Sequence, residues 1–145
     1  MGNFRIRSIF NRYSINVRWV AFLSFSSFGR PASQITQAAR DAAAVLDKRK
    51  VDFEYEGEMT ADIALDFDLM QSSYPFSRLT AAANILVMPG LHSANISFNL
   101  MQQLGGGTVF GPMILNAEFP FQIIPMNATV NDLVNAAALA AYESL

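Results

Sequence analysis

The sequence contains no cysteine and a single histidine, His92. Without thiols the chain has no disulfide framework, zinc–thiolate site or iron–sulfur cluster, and one imidazole cannot build a multi-histidine metal centre. Long apolar runs are also missing: serines interrupt the longest one, residues 19–28, which is well short of the roughly 18 residues that a membrane helix needs. We therefore expect no metal, no cofactor and no membrane partner.

Charged residues are scarce. They make up 15% of the 145 residues, against a usual share of about 25%, while hydrophobic residues make up 52%. Disordered chains have the opposite balance and the length suits one domain, so we expect a single folded unit. The net charge of −2 argues against a nucleic-acid partner. So little charge also suggests that a partner protein covers part of the surface.

Acidic residues are absent from the first 40 positions, and residues 1–50 carry a net charge of +7 against −9 for residues 51–145. A basic start of this kind is typical of an organelle targeting segment. It also suits a basic amphipathic first helix, or a chain start that lies on an acidic neighbour. We divide the chain into a basic segment, residues 1–16, that can form a first helix, and one domain, residues 17–145.

Apolar runs and helical patterns alternate along that domain. Strands are predicted at residues 20–25, 52–58, 84–90 and 109–115. Helices are predicted at residues 33–46, 61–70, 93–104 and from 129 onward. Strands that alternate with helices predict an α/β domain, with a parallel or mixed sheet flanked by helices.

The side-chain patterns also predict which faces are buried. Acidic residues alternate with aromatic ones at 52–58, which predicts an edge strand with its carboxylates in solvent. Ser33 can cap the helix at 33–46, whose inner face is expected to hold the apolar positions Ile35, Ala38, Ala39, Ala42 and Leu46. The helix at 93–104 is expected to turn three apolar residues inward, Ile96, Leu100 and Leu104.

Some stretches resemble known sites without fitting them. Asp52-x-Glu54-x-Glu56-Gly57 opens like a calcium loop, but Ile63 stands where the bidentate acid belongs, so a solvent-facing strand is favoured. Gly105-Gly106-Gly107 follows a predicted helix and lacks the spacing of a dinucleotide-binding loop, so it is interpreted as a helix end. His92 has no partner acid or nucleophile nearby in the sequence and is interpreted as a capping or exposed residue.

Two polar loops follow predicted strands, at residues 24–29 and 90–95. Parallel strands place such loops at one edge of the sheet, where helix N-termini attract anions. Four side chains there can hold a phosphate or pyrophosphate: Ser24, Ser26, Arg30 and Asn95. The acidic strand is expected to lie away from this edge, because carboxylates repel phosphates. The alternative is that these residues only cap helices and complete turns.

An ordered set of segments resembles the second half of the phosphate acetyl/butyryl transferase family, and above all the version fused to the C-terminus of bacterial NADP-dependent malic enzymes. The segments are residues 20–29, 57–65, 83–89 with 95–97, 111–112 and 122–135. The resemblance implies two α/β subdomains around a cleft for CoA and acyl phosphate, usually in a dimer. This chain would supply about half of such a domain.

The chain departs from the family at positions that matter for catalysis. Where active transferases of the family carry Ser-Arg, which assists thiolate attack and neutralises the acyl phosphate, this chain has Pro125 and Met126. Gly90 replaces the aspartate that usually follows Phe-Pro. Asp132 aligns with the acid proposed as the base towards the CoA thiol. It also lies three residues after Thr129, in the spacing of a helix capping box.

The resemblance therefore implies a non-catalytic cytoplasmic domain that binds acetyl-CoA or a related acyl-CoA as a regulator. It would also hold subunits together, as a homo-oligomer or against a malic enzyme body. The expected ligand residues are Ser24, Ser26, Arg30, Asn95 and Asp132, with no catalytic residue. Two alternatives remain open. The chain can be half of a phosphate acyltransferase that needs a partner chain, or a ligand-free remnant that acts as a dimerisation module.

Overall fold

The computed structural model describes residues 19–106, 109, 111–113 and 118–143, and the chain divides after Phe98 into two compact units. The predicted basic segment, residues 1–16, lies outside the described residues. Part of the predicted strand at 109–115 does as well, and its described residues, Val109 and Gly111–Met113, have no regular secondary structure. Within the described ranges no helix is long and apolar enough to cross a membrane.

The first unit is built on a parallel sheet. Its strands are β1 (Trp19–Leu23), β2 (Glu54–Met59) and β3 (Ile85–Val87), in the order β2-β1-β3, and both pairings are parallel. The described helices are α1 (Gln34–Asp47), α2 (Ala61–Leu65), α3 (Phe67–Ser73), α4 (Leu91–Leu104) and α5 (Val130–Glu143). Strands alternate with helices along the chain, which confirms the predicted α/β class with its parallel sheet.

The core of the first unit lies where β1 meets the helices. α1 packs on β1 and β2, and α2 packs on β1. The buried apolar residues that contact one another are Ala21, Leu23, Met59, Ile63, Ala64, Met70, Leu79 and Ala83. Small and long side chains interlock in this cluster, so it fills the space between sheet and helices without large aromatic residues at its centre.

Helix α1 begins as predicted, and only part of its predicted inner face is buried. The Ser33 side chain accepts a hydrogen bond from the Ile35 N–H at 3.1 Å, which confirms the cap. The buried residues of α1 are Thr36, Ala43 and Leu46, whereas Ile35 is 74% exposed. The predicted inward position of Ile35 is therefore wrong, whereas that of Leu46 is confirmed.

The predicted helix at 61–70 consists of two short helices. Asp66 ends α2 in an extended conformation, and its carboxylate accepts the Leu69 N–H at 2.9 Å as the cap of α3. An aspartate is favoured at such a position because its oxygen satisfies a backbone donor that the first helical turn leaves unpaired.

Strand β2 lies at an edge of the described sheet, as predicted, but two of its three acidic side chains are buried. Glu56 is 6% exposed and Glu58 is completely buried. Each carboxylate has an arginine partner, Arg78 for Glu56 and Arg40 for Glu58. The predicted solvated face is wrong because a carboxylate can be buried when a cation and further donors replace its water.

The apolar stretches around β3 are less buried than predicted. β3 covers only three residues of the predicted 84–90, none of them buried, and Val87 is exposed. α4 begins two residues earlier than predicted, and none of its residues is buried. The three residues expected on its inner face, Ile96, Leu100 and Leu104, are exposed. Among the described residues, β3 pairs only with β1.

Candidate ligand site at the carboxyl edge of the sheet

Strands β1 and β3 are parallel neighbours, so both end on the same side of the sheet, which we call its carboxyl edge. After β1 comes the loop that contains Ser24, Ser26 and Arg30, and after β3 comes α4, with Asn95 on its second turn. Asn95 and Arg30 are exposed, and Ser24 is half-buried. Four of the predicted ligand residues thus belong to the same edge of the first unit. Asp132 belongs to the second unit.

A tight turn closes the loop after β1. The Ser27 N–H donates to the Arg30 carbonyl at 3.4 Å, and the Arg30 N–H donates to the Ser27 carbonyl at 3.1 Å. Both central residues have positive φ, +50° at Phe28 and +79° at Gly29, as in type I′ turns. Phenylalanine pays roughly 1–2 kcal/mol for this conformation, so other contacts must stabilise it.

Aromatic packing supplies one of those contacts. The Phe28 ring lies 4.8 Å from the Tyr74 ring and 4.9 Å from the Phe76 ring, measured between centroids. Phe28 also packs against the core cluster of the first unit. Offset and edge-on aromatic pairs of this kind stabilise by about 0.5–1.5 kcal/mol each, enough to offset the strain of the turn.

Glu58 supplies the other contacts, from directly beneath the turn. Its Oε1 accepts the Ser26 hydroxyl at 2.6 Å and the Gly29 N–H at 2.9 Å, and its backbone carbonyl accepts the Phe28 N–H at 2.9 Å. Its Oε2 accepts Arg40 Nη1 at 2.8 Å. The expectation that the acidic strand lies away from this edge is therefore wrong for Glu58. Arg40 neutralises that carboxylate, so it does not place a net negative charge at the edge.

These contacts change what the loop can offer to an anion. Ser26 is buried and its hydroxyl already donates to Glu58, while the Ser24 N–H donates to Met59 O. The turn amides at positions 28, 29 and 30 are likewise bonded within the protein. That a phosphate contacts Ser26 stays a prediction. In this structure the Ser26 hydroxyl bonds to Glu58 and so stabilises the turn. The side chains of Arg30 and Asn95 are the exposed groups.

Sequence reasoning missed Glu58 and Arg40 as parts of this edge. The available signals were a glycine next to an acid inside a strand, Gly57-Glu58, and an arginine one turn after Thr36 in α1. Neither signal is specific, because the two residues that meet are 18 positions apart.

A second buried carboxylate on β2 contacts a different segment. Glu56 accepts Arg78 Nη2 at 3.1 Å and the Arg78 N–H at 3.0 Å, and Arg78 Nη1 also lies 2.6 Å from Asp47. Hydrogen bonding to Glu56, above all, raises the pKa of Arg78. The Tyr55 hydroxyl and Arg78 lower the pKa of Asp47. This cluster holds the chain before β3 and takes no part in the turn at 27–30.

The carboxylates of the calcium-like stretch already have protein partners. Glu54 accepts the Thr80 N–H and hydroxyl at 2.8 and 2.9 Å, and Glu56 accepts Arg78. Among the described residues, no group of three or more histidine or acidic side chains is arranged to hold a metal ion. His92 is exposed on the first turn of α4.

In the second unit, Asp132 and Thr129 form the predicted capping box. The Asp132 carboxylate accepts the Thr129 N–H and hydroxyl, both at 2.8 Å, and the Thr129 hydroxyl accepts the Asp132 N–H at 3.2 Å. The backbone hydrogen bond from Thr129 is the main cause that lowers the pKa of Asp132. These hydrogen bonds are those of a helix cap.

Acidification is expected to weaken this cap. The folded-state pKa of Asp132 lies below its ordinary value of 3.8, so its stabilising contribution is complete at neutral pH and is lost as the pH falls through the folded-state pKa. Helicity of the protein and of an Asp132→Ala variant, measured by circular dichroism at about pH 7 and about pH 2, checks this. The variant should be less helical at neutral pH, and the difference should vanish in acid. A difference that does not change with pH would contradict the assignment.

Comparison with known proteins places the chain in a family. A sequence profile described as phosphate acetyl/butaryl transferase matches residues 8–141. This chain belongs to that family. It is 50% identical over 125 residues to the NADP-dependent malic enzyme of Rhizobium meliloti (strain 1021), and 32% identical over 127 residues to the phosphate acetyltransferase of Treponema pallidum (strain Nichols). It is also similar to the EutD phosphotransacetylase from Staphylococcus aureus, with a TM-score of 0.78 and 25% identity.

The chain spans only part of each of these family members. The sequence matches cover 86% of this chain, but 16% of the Rhizobium malic enzyme and 38% of the Treponema acetyltransferase. The structural match covers 95% of this chain and 43% of EutD. These comparisons confirm the resemblance that the sequence indicated.

The structure describes the positions at which the resemblance implies a departure from the active transferases. Pro125 and Met126 stand in a turn, where the Pro125 carbonyl accepts the Ala128 N–H at 3.1 Å and the Met126 side chain is fully exposed. Gly90 follows β3, and a Cβ added there would meet no atom within 4 Å. Sterically, the fold would thus accept the family's aspartate at position 90.

Proposed function

We propose that this chain is a non-catalytic member of the phosphate acetyl/butaryl transferase family that binds acetyl-CoA or a related acyl-CoA and holds protein subunits together in the cytoplasm. The observation that carries the proposal is the pair Pro125 and Met126, at the positions where the resemblance calls for Ser-Arg. The identity of 50% to a malic enzyme, and of 40% to the probable NADP-dependent malic enzyme of Rickettsia prowazekii (strain Madrid E), supports it. The proposed setting is therefore the C-terminal part of a malic enzyme.

The chemistry of the replaced residues argues against acyl transfer. Proline has neither a donor side chain nor an N–H, and methionine cannot pair with a phosphate. Loss of one positioned group that stabilises developing charge typically lowers a rate by about 10²–10³-fold. Asp132, the acid aligned with the family's proposed base, holds a helix cap with a lowered pKa. It remains a candidate ligand residue only through the resemblance.

The carboxyl edge of the sheet is the proposed place for the phosphates of the acyl-CoA. Arg30 offers an exposed guanidinium whose planar fork suits phosphate oxygens, and Asn95 offers an exposed amide on α4. Ser24 stands half-buried where β1 ends. With one exposed cation among these groups, we expect modest affinity that falls as salt screens the charges.

Apolar surface on α4 supports the proposed role in association. Ile96, Leu100 and Leu104 are exposed, and α4 buries none of its residues within the chain. A stable interface buries at least about 1,200 Å² in total, and exposed leucine and isoleucine side chains on one helix would lie at its centre. The proposed partner is a second copy of the chain or a malic enzyme body. If the partner is a second copy, light scattering of the purified chain at high concentration should detect no monomer.

The proposal predicts that acetyl-CoA stabilises the purified chain without being turned over. A ligand that binds only the folded state at 100 times its Kd adds about 2.7 kcal/mol to the free energy of unfolding, which a thermal-shift titration at low salt detects. No transfer between acetyl phosphate and CoA should be measurable. Absence of any shift would contradict acyl-CoA binding. Turnover that copurifies with the chain and disappears in Asp132→Ala would contradict the non-catalytic role.

Two matched variants test the site. Asn95→Asp adds a negative charge at the proposed phosphate edge, and Gln102→Glu adds the same charge at an exposed position about 10 Å further along α4. At about 0.15 M salt the Debye length is about 8 Å, so Asn95→Asp should raise the Kd by at least about threefold and Gln102→Glu should not. Equal affinities for both variants would place the ligand elsewhere. Ser26→Asp is unsuitable, since it would bury a second carboxylate beside Glu58.

A further inference from the structure

Strand β2 departs from regular pairing at one residue, Glu58. Phe22 of β1 pairs with Gly57, and the next residue, Leu23, pairs with Met59, so Glu58 has no partner on β1. A bulge of this kind inserts one extra residue, bends the strand and redirects a side chain. Here it directs the Glu58 carboxylate away from the sheet ladder and towards the loop that follows β1.

Gly57 makes this bulge possible. Its φ is +152°, and a Cβ on it would lie 2.7 Å from both the Cβ and the carbonyl oxygen of Phe22. Only glycine allows the two strands to approach so closely at this point. Glycine at position 57 therefore allows the bulge that places the buried Glu58 carboxylate under the turn at 27–30.

The N-terminal part of α1 holds the Arg40 side chain that contacts Glu58. Its Nη1 donates to the Thr36 hydroxyl at 3.0 Å, and its Nη2 donates to the Gln37 side chain at 2.8 Å and to the Ser33 carbonyl at 3.3 Å. The first turns of α1 thus hold the guanidinium in place. Glu58 in turn accepts from Arg40 on one oxygen and from the loop on the other.

The turn that Glu58 holds carries a residue in an unfavourable conformation. Phe28 has φ of +50°, and strained backbone persists only where its surroundings determine it strongly. Three groups of the turn region bond to the single residue Glu58: the Ser26 hydroxyl, the Phe28 N–H and the Gly29 N–H. The next residue is the exposed Arg30, whose direction follows from the turn.

We infer that Glu58 is a positioning residue: aimed by the bulge at Gly57 and fixed by Arg40, it sets the turn that presents Arg30 to the phosphates of an acyl-CoA. This inference rests on the proposed function, since it concerns the same site. Glu58 itself does not touch the ligand. Its effect on binding passes through the loop, in contrast to Glu56, the other buried acid of β2, which contacts Arg78.

Glu58→Gln, with Glu56→Gln as its matched control, separates positioning from stability. Gly29 and Arg40 bond to different oxygens of Glu58. In glutamine an NH2 group replaces one of these oxygens, so it faces either the Gly29 N–H or Arg40 with a donor where an acceptor is needed. Calorimetric titration with acetyl-CoA, at a temperature where every variant is folded, should show Glu58→Gln raising the Kd about tenfold and Glu56→Gln changing it less than about twofold. Amide hydrogen exchange of Gly29, measured without ligand, should speed up in Glu58→Gln alone.

Adding Arg40→Met to Glu58→Gln tests the same inference by rescue. The double variant removes the competing donor, so the amide oxygen can again accept from Gly29, and the Kd should return to within about threefold of the parent. If the parent binds acetyl-CoA and Glu58→Gln binds equally well, the positioning role is overturned and the proposed function stands. If the parent does not bind, the proposed function fails and this inference falls with it. Unchanged Gly29 exchange in Glu58→Gln overturns the inference whatever the affinities are.

Discussion

Arg40→Met is expected to lower the free energy of unfolding by about 3 kcal/mol or more at neutral pH. Glu58 is completely buried, and Arg40 at 2.8 Å is the cation that compensates its charge. Methionine keeps much of the length of the side chain but leaves the carboxylate unpaired in a low-dielectric surrounding. The measurement is urea denaturation of the parent and the variant, followed by circular dichroism.

The charge, and not the shape, should cause that loss. Combining Arg40→Met with Glu58→Gln removes the buried charge while it keeps an acceptor for Ser26 and Gly29. We therefore expect the double variant to be more stable than Arg40→Met alone by at least about 1 kcal/mol, because an unpaired buried charge costs more than a missing ion pair. A double variant that is less stable than Arg40→Met would show that Glu58 does not depend on Arg40.

Gly57→Ala is expected to be the other strongly destabilising change, with a loss of about 2–5 kcal/mol. The new Cβ would stand 2.7 Å from the Phe22 backbone oxygen and Cβ, so the strands must move apart, and the φ of +152° disfavours any residue other than glycine. Separation of the strands would also displace Glu58 from the turn. Thermal denaturation of the parent and the variant measures the loss.

Gly90→Ala is the matched control for that substitution. An added Cβ at position 90 meets no atom within 4 Å, and no positive φ is present there. Its effect should stay within about 0.5 kcal/mol, as for most surface substitutions. Equal losses in both variants would mean that the close approach of β1 and β2 at Gly57 does not restrain the sheet.

Features that depend on residues close in sequence were predictable. The cap at Ser33 and the capping box of Thr129 and Asp132 involve groups two or three positions apart, and both occur as predicted. The order of strands and helices follows from apolar periodicity, which is equally local. The family was indicated separately, by a resemblance of segments that keep the family's order along the chain.

Features that depend on charge pairing across the fold were not predictable in this way. The acidic pattern of β2 has the appearance of a solvated face, yet Glu56 and Glu58 are buried because arginines 22 and 18 positions away meet them. In α1, likewise, the polar Thr36 is buried and bonds to Arg40, while the apolar Ile35 is exposed.

The sequence by itself determined the α/β class and the helix caps at Ser33 and Thr129, since backbone capping and periodic burial act over a few residues. It also indicated the family, through the resemblance of an ordered set of segments to that family. The tertiary structure alone decided that Glu58 lies under the turn at 27–30 and that Ser26 serves this turn. The physical reason is that a carboxylate loses its water only where a cation and donors converge on it. That convergence is set by the bulge at Gly57 and the register of β1 with β2.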